Sequence, residues 1–337
     1  MEHAVSLLPA MWFVLLGLIL LLYTALDGFD LGVGIVSLFV RDERKRGILM
    51  GSLGSIWDAN ETWLVLFGGI IFGAFPSVYG LVLSSLYLPL VGMLVGLIFR
   101  AVSFEFRVHA RSKRTWSLAF GWGSLLAAAC QGFAFGGVLW GIPITHGRFT
   151  AGVLNWLTPF SVALGAAAVG GYVLIGSTYI IMKTEGSLAR QARTTALAGA
   201  AVAVVAAIVV TALAVARYPF LRERWFAFPG AFITIVPMAL ALAAFAATIL
   251  GIVRGRERLP FFGALAFALF GYAALSANYF PIIVPPSLTV YQAAAQPEIL
   301  RVMLLSIAVA IPVLLAYNIY QYWVFRGKVR KNIYDEE

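Results

Sequence analysis

Four carboxylates lie within or beside long apolar segments near the start of the chain. Asp27 and Asp30 lie in the stretch YTALDGFDLGVG, and Asp58 and Glu61 lie in the stretch SIWDANETWLVLFGG. A charged side chain at the centre of a bilayer costs roughly 2.5–3.5 kcal/mol on insertion scales. Protonation avoids that cost, because loss of water favours the neutral form of a carboxyl group. Such groups are suited to passing protons, so these four residues are candidates for a proton pathway.

Polar residues recur at helical spacing in both stretches. The spacing predicts two polar stripes on adjacent antiparallel helices, Tyr23, Asp27 and Asp30 on the first and Ser55, Asp58 and Thr62 on the second. Two such stripes could line a short file for protons. The alternative is that Asp30 and Glu61 only pair with Arg or Lys near the inner membrane surface.

The composition indicates a polytopic membrane protein. The 337 residues are 61% hydrophobic and 12% charged, with a mean hydropathy of +0.92, whereas soluble domains are about a quarter charged. The net charge of +9 comes from basic residues in short loops between apolar runs, where lipid and topology explain it and nucleic acid is not expected. The single cysteine, Cys130, excludes a disulfide framework.

The elements that must position the carboxylates are transmembrane helices, each needing about 20 mostly apolar residues. The sequence predicts an all-α fold with nine spans, at 8–38, 50–74, 77–100, 117–139, 157–182, 193–216, 229–253, 260–281 and 301–325. The first run is too long for one hydrocarbon core, so its helix should tilt or project from the membrane. The N-terminal stretch MEHAVSLLPA lacks the basic region of a cleaved signal peptide, so this helix is expected to be retained.

The basic residues predict the orientation. With the N-terminus outside, the inside segments hold 19 of the 24 Lys and Arg residues, as the positive-inside rule requires. The C-terminus is then cytoplasmic, and all four carboxylates lie toward the inner half of the membrane. We expect one integral membrane domain over 1–337. Its helical halves, 8–139 and 157–281, should form two four-helix bundles, with 301–325 as an extra helix.

Small residues and one arginine bear on helix packing. GxxxG pairs at Gly28 and Gly32, Gly69 and Gly73, and Gly92 and Gly96 predict close helix contacts. The glycines of the first span could instead admit a bulky partner. Arg100, in LIFRAVSFEFR, ends the third span. Its side chain could snorkel to the inner headgroups, or it could form a structural ion pair with a carboxylate of the first or second span.

Haem ligands are not expected in this chain. Membrane haem proteins use buried axial His or Met. The three histidines, His3, His109 and His146, fall in predicted loops or at a terminus, and Met93 and Met238 are typical of apolar filling. No metal-binding motif or hydrolytic constellation is present in the sequence.

The quoted motifs carry a family resemblance. LDGFDLGVG, a short basic loop and then WDANETWLVLFGGIIFGAFPSVY resemble subunit II, the small subunit, of cytochrome bd-type quinol oxidases. FRAVSFEFR, GYVLIGSTYIIMKTEG and YFPIIVPPSLTVYQAAA extend the resemblance in the same order over nearly the whole chain.

The resemblance implies a respiratory terminal oxidase that oxidises quinol and reduces oxygen to water. A large partner, subunit I, would carry two b-type haems and one d-type haem. This chain would support assembly and offer a cytoplasmic proton route through Asp27 and Asp58, with Glu61 and Asp30 nearby. Trp63 matches a position linked to oxygen access. The expected location is the cytoplasmic membrane of a bacterium or archaeon. The resemblance is also compatible with a small single-span accessory subunit and with a structural quinone or lipid.

Two other classes fit the residues. A proton- or sodium-coupled secondary transporter could use the same carboxylates, although Pro159, Pro229 and Pro281 lie near span ends rather than at mid-membrane. A purely structural membrane scaffold would use the charges only to orient helices.

Overall fold

The fold is almost entirely helical. The computed structural model describes residues 2–54 and 56–329. Within them the helices are α1 (Glu2–Ser37), α2 (Glu43–Leu53), α3 (Trp57–Ala74), α4 (Pro76–Ser85), α5 (Tyr87–His109), α6 (Lys113–Trp140), α7 (Pro159–Lys183), α8 (Gly186–Arg217), α9 (Pro219–Phe226), α10 (Phe232–Val253), α11 (Leu259–Tyr279), α12 (Val290–Ala293) and α13 (Pro297–Val324). Two small antiparallel ladders pair β1 (Ile144–Thr145) with β2 (Arg148–Phe149), and β3 (Ile282–Val284) with β4 (Leu288–Thr289).

The prediction of a helical multi-pass membrane protein is confirmed. Among the described residues, eight helices are long and apolar enough to cross a membrane, namely α1, α5, α6, α7, α8, α10, α11 and α13. A ninth crossing requires α3 and α4 to count as one span, and they are bent by 119° across Phe75. Pro76 at the start of α4 explains the bend, because proline begins a helix readily but cannot continue one.

Two predicted spans are wrong in their limits. The span at 50–74 is interrupted, because α2 ends at Leu53 and Gly54 has a φ of +47°, a conformation that favours glycine. The span at 77–100 is split at Leu86, and α5 then continues to His109. Pro89 accounts for the split, since it has no N–H to donate to the carbonyl four residues earlier. Hydropathy does not reveal the two breaks, because the apolar segments continue across both of them.

Helix α1 lies at the centre and packs against α3, α6 and α7. Its closest approach is to α7. A Cβ added at Gly32 would lie 1.8 Å from the carbonyl oxygen of Tyr172, and one added at Gly176 would lie 2.4 Å from the carbonyl carbon of Gly32. A Cβ at Gly28 would lie 2.7 Å from the Tyr172 ring. The partner that approaches the glycines of α1 is therefore a helix of the same chain.

The other glycine pairs differ. Gly92 and Gly96 lie against α6, where added Cβ atoms would meet Cys130 Sγ at 2.8 Å and the Ala127 backbone N at 2.6 Å. In the pair Gly69 and Gly73, the close contact predicted at Gly69 is wrong, because nothing described lies within 4 Å of a Cβ placed there. The contact at Gly73 is confirmed, since a Cβ placed there would lie 2.6 Å from the Met303 side chain of α13.

Polar contacts join the helix connections at one end of the bundle. Gln191 of α8 donates to the Phe39 carbonyl at 3.1 Å, and Arg107 of α5 pairs with Glu43 of α2 at 3.2 Å. Lys328, beyond α13, pairs with Glu257 between α10 and α11 at 2.8 Å. This end holds the connections 38–42, 110–112, 184–185 and 254–258, and we call it the basic end after the Arg and Lys residues in and beside them. The orientation of the termini and the division into two bundles stay predictions.

Candidate proton-transfer site

A buried arginine joins two of the predicted carboxylates. Arg100 of α5 is fully buried; its Nη1 donates to Asp27 Oδ1 of α1 and its Nη2 donates to Glu61 Oε1 of α3. Snorkelling of Arg100 to the headgroups is wrong, since the guanidinium is enclosed by three helices. Burial of an unpaired guanidinium is very costly, and the two carboxylates give the buried Arg100 the charged partners that it needs.

The second acid of α1 has a different partner. Asp30 is fully buried, and its Oδ2 accepts a hydrogen bond from Asn60 Nδ2 of α3 at 2.8 Å. Asn60 Nδ2 also lies 3.2 Å from the Leu26 carbonyl, and Asn60 Oδ1 accepts from the Tyr322 hydroxyl of α13 at 2.8 Å. Asn60 thus links the central helix to the last long helix of the chain.

The site contains more acid than base. Three carboxyl groups, those of Asp27, Asp30 and Glu61, share the site with the single guanidinium of Arg100, which pairs with the first and the last of them. Full ionisation would leave uncompensated negative charge in a buried region, which is unfavourable. Burial favours the neutral form of a carboxyl while a nearby guanidinium favours the ionised form. Three carboxyl groups beside one guanidinium make this cluster the candidate proton-transfer site of the chain.

Each buried aspartate keeps one oxygen for a further partner. Among the described residues, Asp27 Oδ2 and Asp30 Oδ1 have no hydrogen-bond partner. Buried polar atoms are normally hydrogen bonded. These two oxygens are therefore the positions at which a further hydrogen-bond donor could join the cluster without breaking the contacts to Arg100 and Asn60.

Exposure increases toward the beginning of α3. The Glu61 side chain is 26% exposed, and Asp58, in the first turn of the helix, is exposed. No ion pair or side-chain hydrogen bond connects the Asp58 carboxylate to a described residue, and Thr62 Oγ1 donates to the Asp58 backbone carbonyl at 3.2 Å. Ser55 lies outside the described residues. The structure thus brings Asp27, Glu61 and Arg100 together, sets Asp30 beside them, and leaves Asp58 at the surface.

A second buried polar group extends along α1. The Tyr172 hydroxyl of α7 donates to Gln131 Oε1 of α6 at 2.7 Å, and Gln131 Nε2 donates to the Tyr23 hydroxyl. Tyr23 lies one helical turn before Asp27 on the same face. Hydrogen-bonding side chains therefore continue from the acid cluster into the interior of the bundle.

The candidate for oxygen access is enclosed. Trp63 of α3 is fully buried in the apolar core that α1 and α3 share, and its indole Nε1 has no partner among the described residues. This environment is apolar, and the role of Trp63 stays a prediction.

Two of the three histidines have described side chains, and that of His3 lies outside the described ones. His109 is exposed at the end of α5 and His146 is exposed in the β1–β2 turn. Within the described ranges, no group of three or more His, Cys, Asp or Glu residues is placed to hold a metal ion. Met93 is buried against α6 with Leu97 and Cys130.

Four polar residues of the site were not predicted, namely Asn60, Gln131, Tyr172 and Tyr322. Asn60 stands in the quoted stretch between two acids, where its position one residue before Glu61 could have marked it. For Gln131 and Tyr172 an isolated polar residue in an apolar helix was the only signal. Tyr322 is 262 residues from Asn60, and no local pattern connects them.

Together, the fold and the site define a multi-pass helical membrane protein with a buried carboxylate–guanidinium cluster. The chain belongs to the cytochrome bd terminal oxidase subunit II family, whose model matches residues 8–325.

Individual relatives agree with this assignment. The chain is 29% identical over 332 residues to cytochrome bd ubiquinol oxidase subunit 2 of Bacillus subtilis, covering 95% of this chain and 96% of that protein. It is 33% identical over 210 residues to cytochrome bd-I ubiquinol oxidase subunit 2 of Escherichia coli K12, a match over 59% of this chain that spans 55% of that protein's length. A chain of the bd oxidase structure from Geobacillus thermodenitrificans shares the fold, with a TM-score of 0.79 at 18% identity over 95% of this chain and 99% of that one.

Proposed function

We propose that this chain is the haem-free subunit II of a quinol oxidase in the cytoplasmic membrane of a bacterium, and that it conducts protons from the basic end toward the partner. A large subunit I would hold two b-type haems and one d-type haem, where quinol is oxidised and oxygen is reduced to water. Reduction of oxygen to water consumes protons, so the complex needs a proton route. Family membership supports this division.

The observation that carries the proposal is the bridge from Arg100 to Asp27 and Glu61. Arg100 holds both carboxylates in fixed positions, so that Glu61 connects the partly exposed side of the cluster with the fully buried Asp27. Asp58 would attract protons at the surface and deliver them to Glu61. Asp30, held by Asn60, would modulate the charge of the cluster. The transporter interpretation has no support in the comparisons.

The test is quinol-driven oxygen uptake by the purified complex with Glu61→Gln and Asp58→Asn. Removal of a proton-transfer group slows a reaction on the order of 10²-fold, and we expect a loss of that order for Glu61→Gln and a smaller one for Asp58→Asn. The matched control is Glu105→Gln, an exposed acid on α5 near the same end. Haem spectra and complex yield should match the parent protein.

The outcomes separate conduction from assembly. Slow turnover with normal haem spectra supports the proposal. Unchanged turnover at saturating quinol in both variants contradicts it, and parallel loss of haem and turnover would assign the acids to assembly alone.

A further inference from the structure

A groove with basic and apolar walls lies at the basic end between α10 and α11. Its volume is about 480 Å³, and it is lined by Ala247, Leu250, Arg254, Arg256 and Leu259. This lies within the range of about 300–1,000 Å³ that is common for small-molecule sites. The groove is distant in sequence from every residue of the acid cluster.

One wall of the groove continues along a membrane-spanning helix. Ala247, Leu250 and Arg254 occur at i, i+3 and i+7 and so share one face of α10. The same face continues toward the middle of the helix with Ala243 and Leu240, which are exposed. This apolar face therefore extends from Arg254 along α10 into the membrane-spanning part of the helix, where lipid chains lie.

The end of the groove at Arg254 and Arg256 is positively charged and open to a ligand. Arg254 and Arg256 are exposed, and their side chains make no ion pair or hydrogen bond with any residue in the described ranges. The one acid of their loop, Glu257, is engaged by Lys328 at 2.8 Å. The carbonyls that end α10 are covered by Arg193, which donates to Ile252 O at 2.8 Å.

Helix α11 adds to the positive potential. It begins at Leu259 on the rim of the groove, and the dipole of a helix makes its N-terminus favourable for anions. An adjacent cation, Arg258, precedes it. Nearby acids are Glu257 and Glu185, and Lys328 lies between them at 2.8 and 3.2 Å. Positive charge thus remains in excess around the groove.

We propose that this groove binds an anionic phospholipid, with its phosphate between Arg254 and Arg256 and one acyl chain along Leu250 and Ala247. Guanidinium groups bind phosphate oxygens through paired, charge-assisted hydrogen bonds. Basic pockets at the ends of membrane helices recognise anionic headgroups in the same way. A free phosphate ion would use only the arginines, whereas a phospholipid also uses the apolar wall.

The experiment measures phosphatidylglycerol retained by the intact purified complex after detergent washing, by native mass spectrometry. The first variant is Arg254→Gln/Arg256→Gln, which removes the cations. The second is Leu250→Trp, which fills the apolar wall and keeps both arginines. The matched control is Arg111→Gln/Arg114→Gln, which makes the same charge change at exposed positions of the basic end.

We expect at least a tenfold loss of phosphatidylglycerol in both groove variants and no change in the control, with phosphatidylcholine unable to replace the lipid. Equal retention by the double arginine variant overturns the proposal, and so does equal loss in the control, which would indicate general surface attraction. Displacement by millimolar inorganic phosphate, together with normal retention by Leu250→Trp, would also overturn it in favour of a phosphate site. Because the measurement does not depend on turnover, it is independent of the proposed proton route.

Discussion

Arg100 Nη1 donates to Asp27 Oδ1 although the two residues are 73 positions apart, and both side chains are fully buried. The pair joins α5 to the central helix α1, and the second guanidinium nitrogen joins both to Glu61 of α3. One side chain therefore fixes three helices and sets the electrostatic environment of the acid cluster. Substitution of Arg100 should therefore lower the stability of the folded protein.

Arg100→Ala should destabilise the protein by about 3–5 kcal/mol, because it leaves buried carboxylates without their cation. Arg100→Lys should recover only part of this loss, since an ammonium group cannot reproduce the two fixed donor directions of a guanidinium. Thermal unfolding in detergent measures both. Arg111→Ala, at an exposed position, is the control, and an Arg100→Ala protein as stable as this control would contradict the assignment.

Gly32→Ala should prevent the close approach of α1 and α7. The new Cβ would lie 1.8 Å from the Tyr172 carbonyl oxygen, so the helices must separate, at a cost of about 1–3 kcal/mol or more. Gly271→Ala in α11 meets nothing described within 4 Å and should be neutral or slightly stabilising, because alanine favours helix. Gly32→Ala should have a lower yield and melting temperature than the parent, and Gly271→Ala should not. A Gly32→Ala variant as stable as the parent would refute the packing of α1 on α7.

Tyr322→Phe should loosen α13 from the site. The Tyr322 hydroxyl donates to Asn60 Oδ1 at 2.8 Å, and its removal leaves a buried acceptor unsatisfied, at a cost of about 1–3 kcal/mol. The control is Tyr320→Phe, since Tyr320 is 62% exposed on the same helix. Equal melting temperatures for the two variants would show that the Asn60 contact does not hold α13.

The docking of the chain after α13 should depend on pH. Hydrogen bonding to Lys328 lowers the pKa of Glu257 below its ordinary 4.5 and raises the pKa of Lys328 above its ordinary 10.5. The Glu257 contribution is present above pH 4.5 and is lost as pH falls through the lowered pKa. The Lys328 contribution is present below pH 10.5 and is lost as pH rises through the raised pKa.

Hydrogen exchange can follow this docking. The Val329 amide donates to the Lys183 carbonyl at 3.0 Å, so its protection factor should be constant near neutral pH and fall in acid below pH 4.5. In Glu257→Gln the low-pH loss should be weaker. The Thr184 amide, which donates to Ile180 O at 2.9 Å, should keep its protection throughout. A fall in protection between pH 6 and 8 would not agree with these shifts.

The sequence predicts the parts of this fold that depend on local pattern. Apolar runs locate the long helices, and GxxxG locates the surface of α1 that meets α7. The hydropathy pattern does not predict the breaks at Gly54 and Leu86. Both lie in or beside apolar segments, and there the backbone conformation, not the hydropathy, determines where a helix ends. Burial of Asp27 and Asp30 follows from their apolar neighbours.

Pairing within the site depends on tertiary contact and could not be predicted in full. Helical spacing groups Asp58 with Thr62, yet the first turn of α3 leaves Asp58 exposed. The link from Asn60 to Tyr322 requires α13 to return beside α3, which no local pattern encodes. Arg100 could be predicted as either a headgroup anchor or an ion-pair residue, and only the approach of α1 and α3 selects the second.

Vectorial proton uptake distinguishes conduction through Asp27 from a structural role. The complex is reconstituted in vesicles with a pH dye on the side facing the basic end, and quinol-driven oxygen consumption is started. The parent should consume protons from that side, and Asp27→Asn, with normal haem spectra and yield, should slow this uptake on the order of 10²-fold. Proton uptake at the parent rate from the basic end by Asp27→Asn would contradict the proposed route.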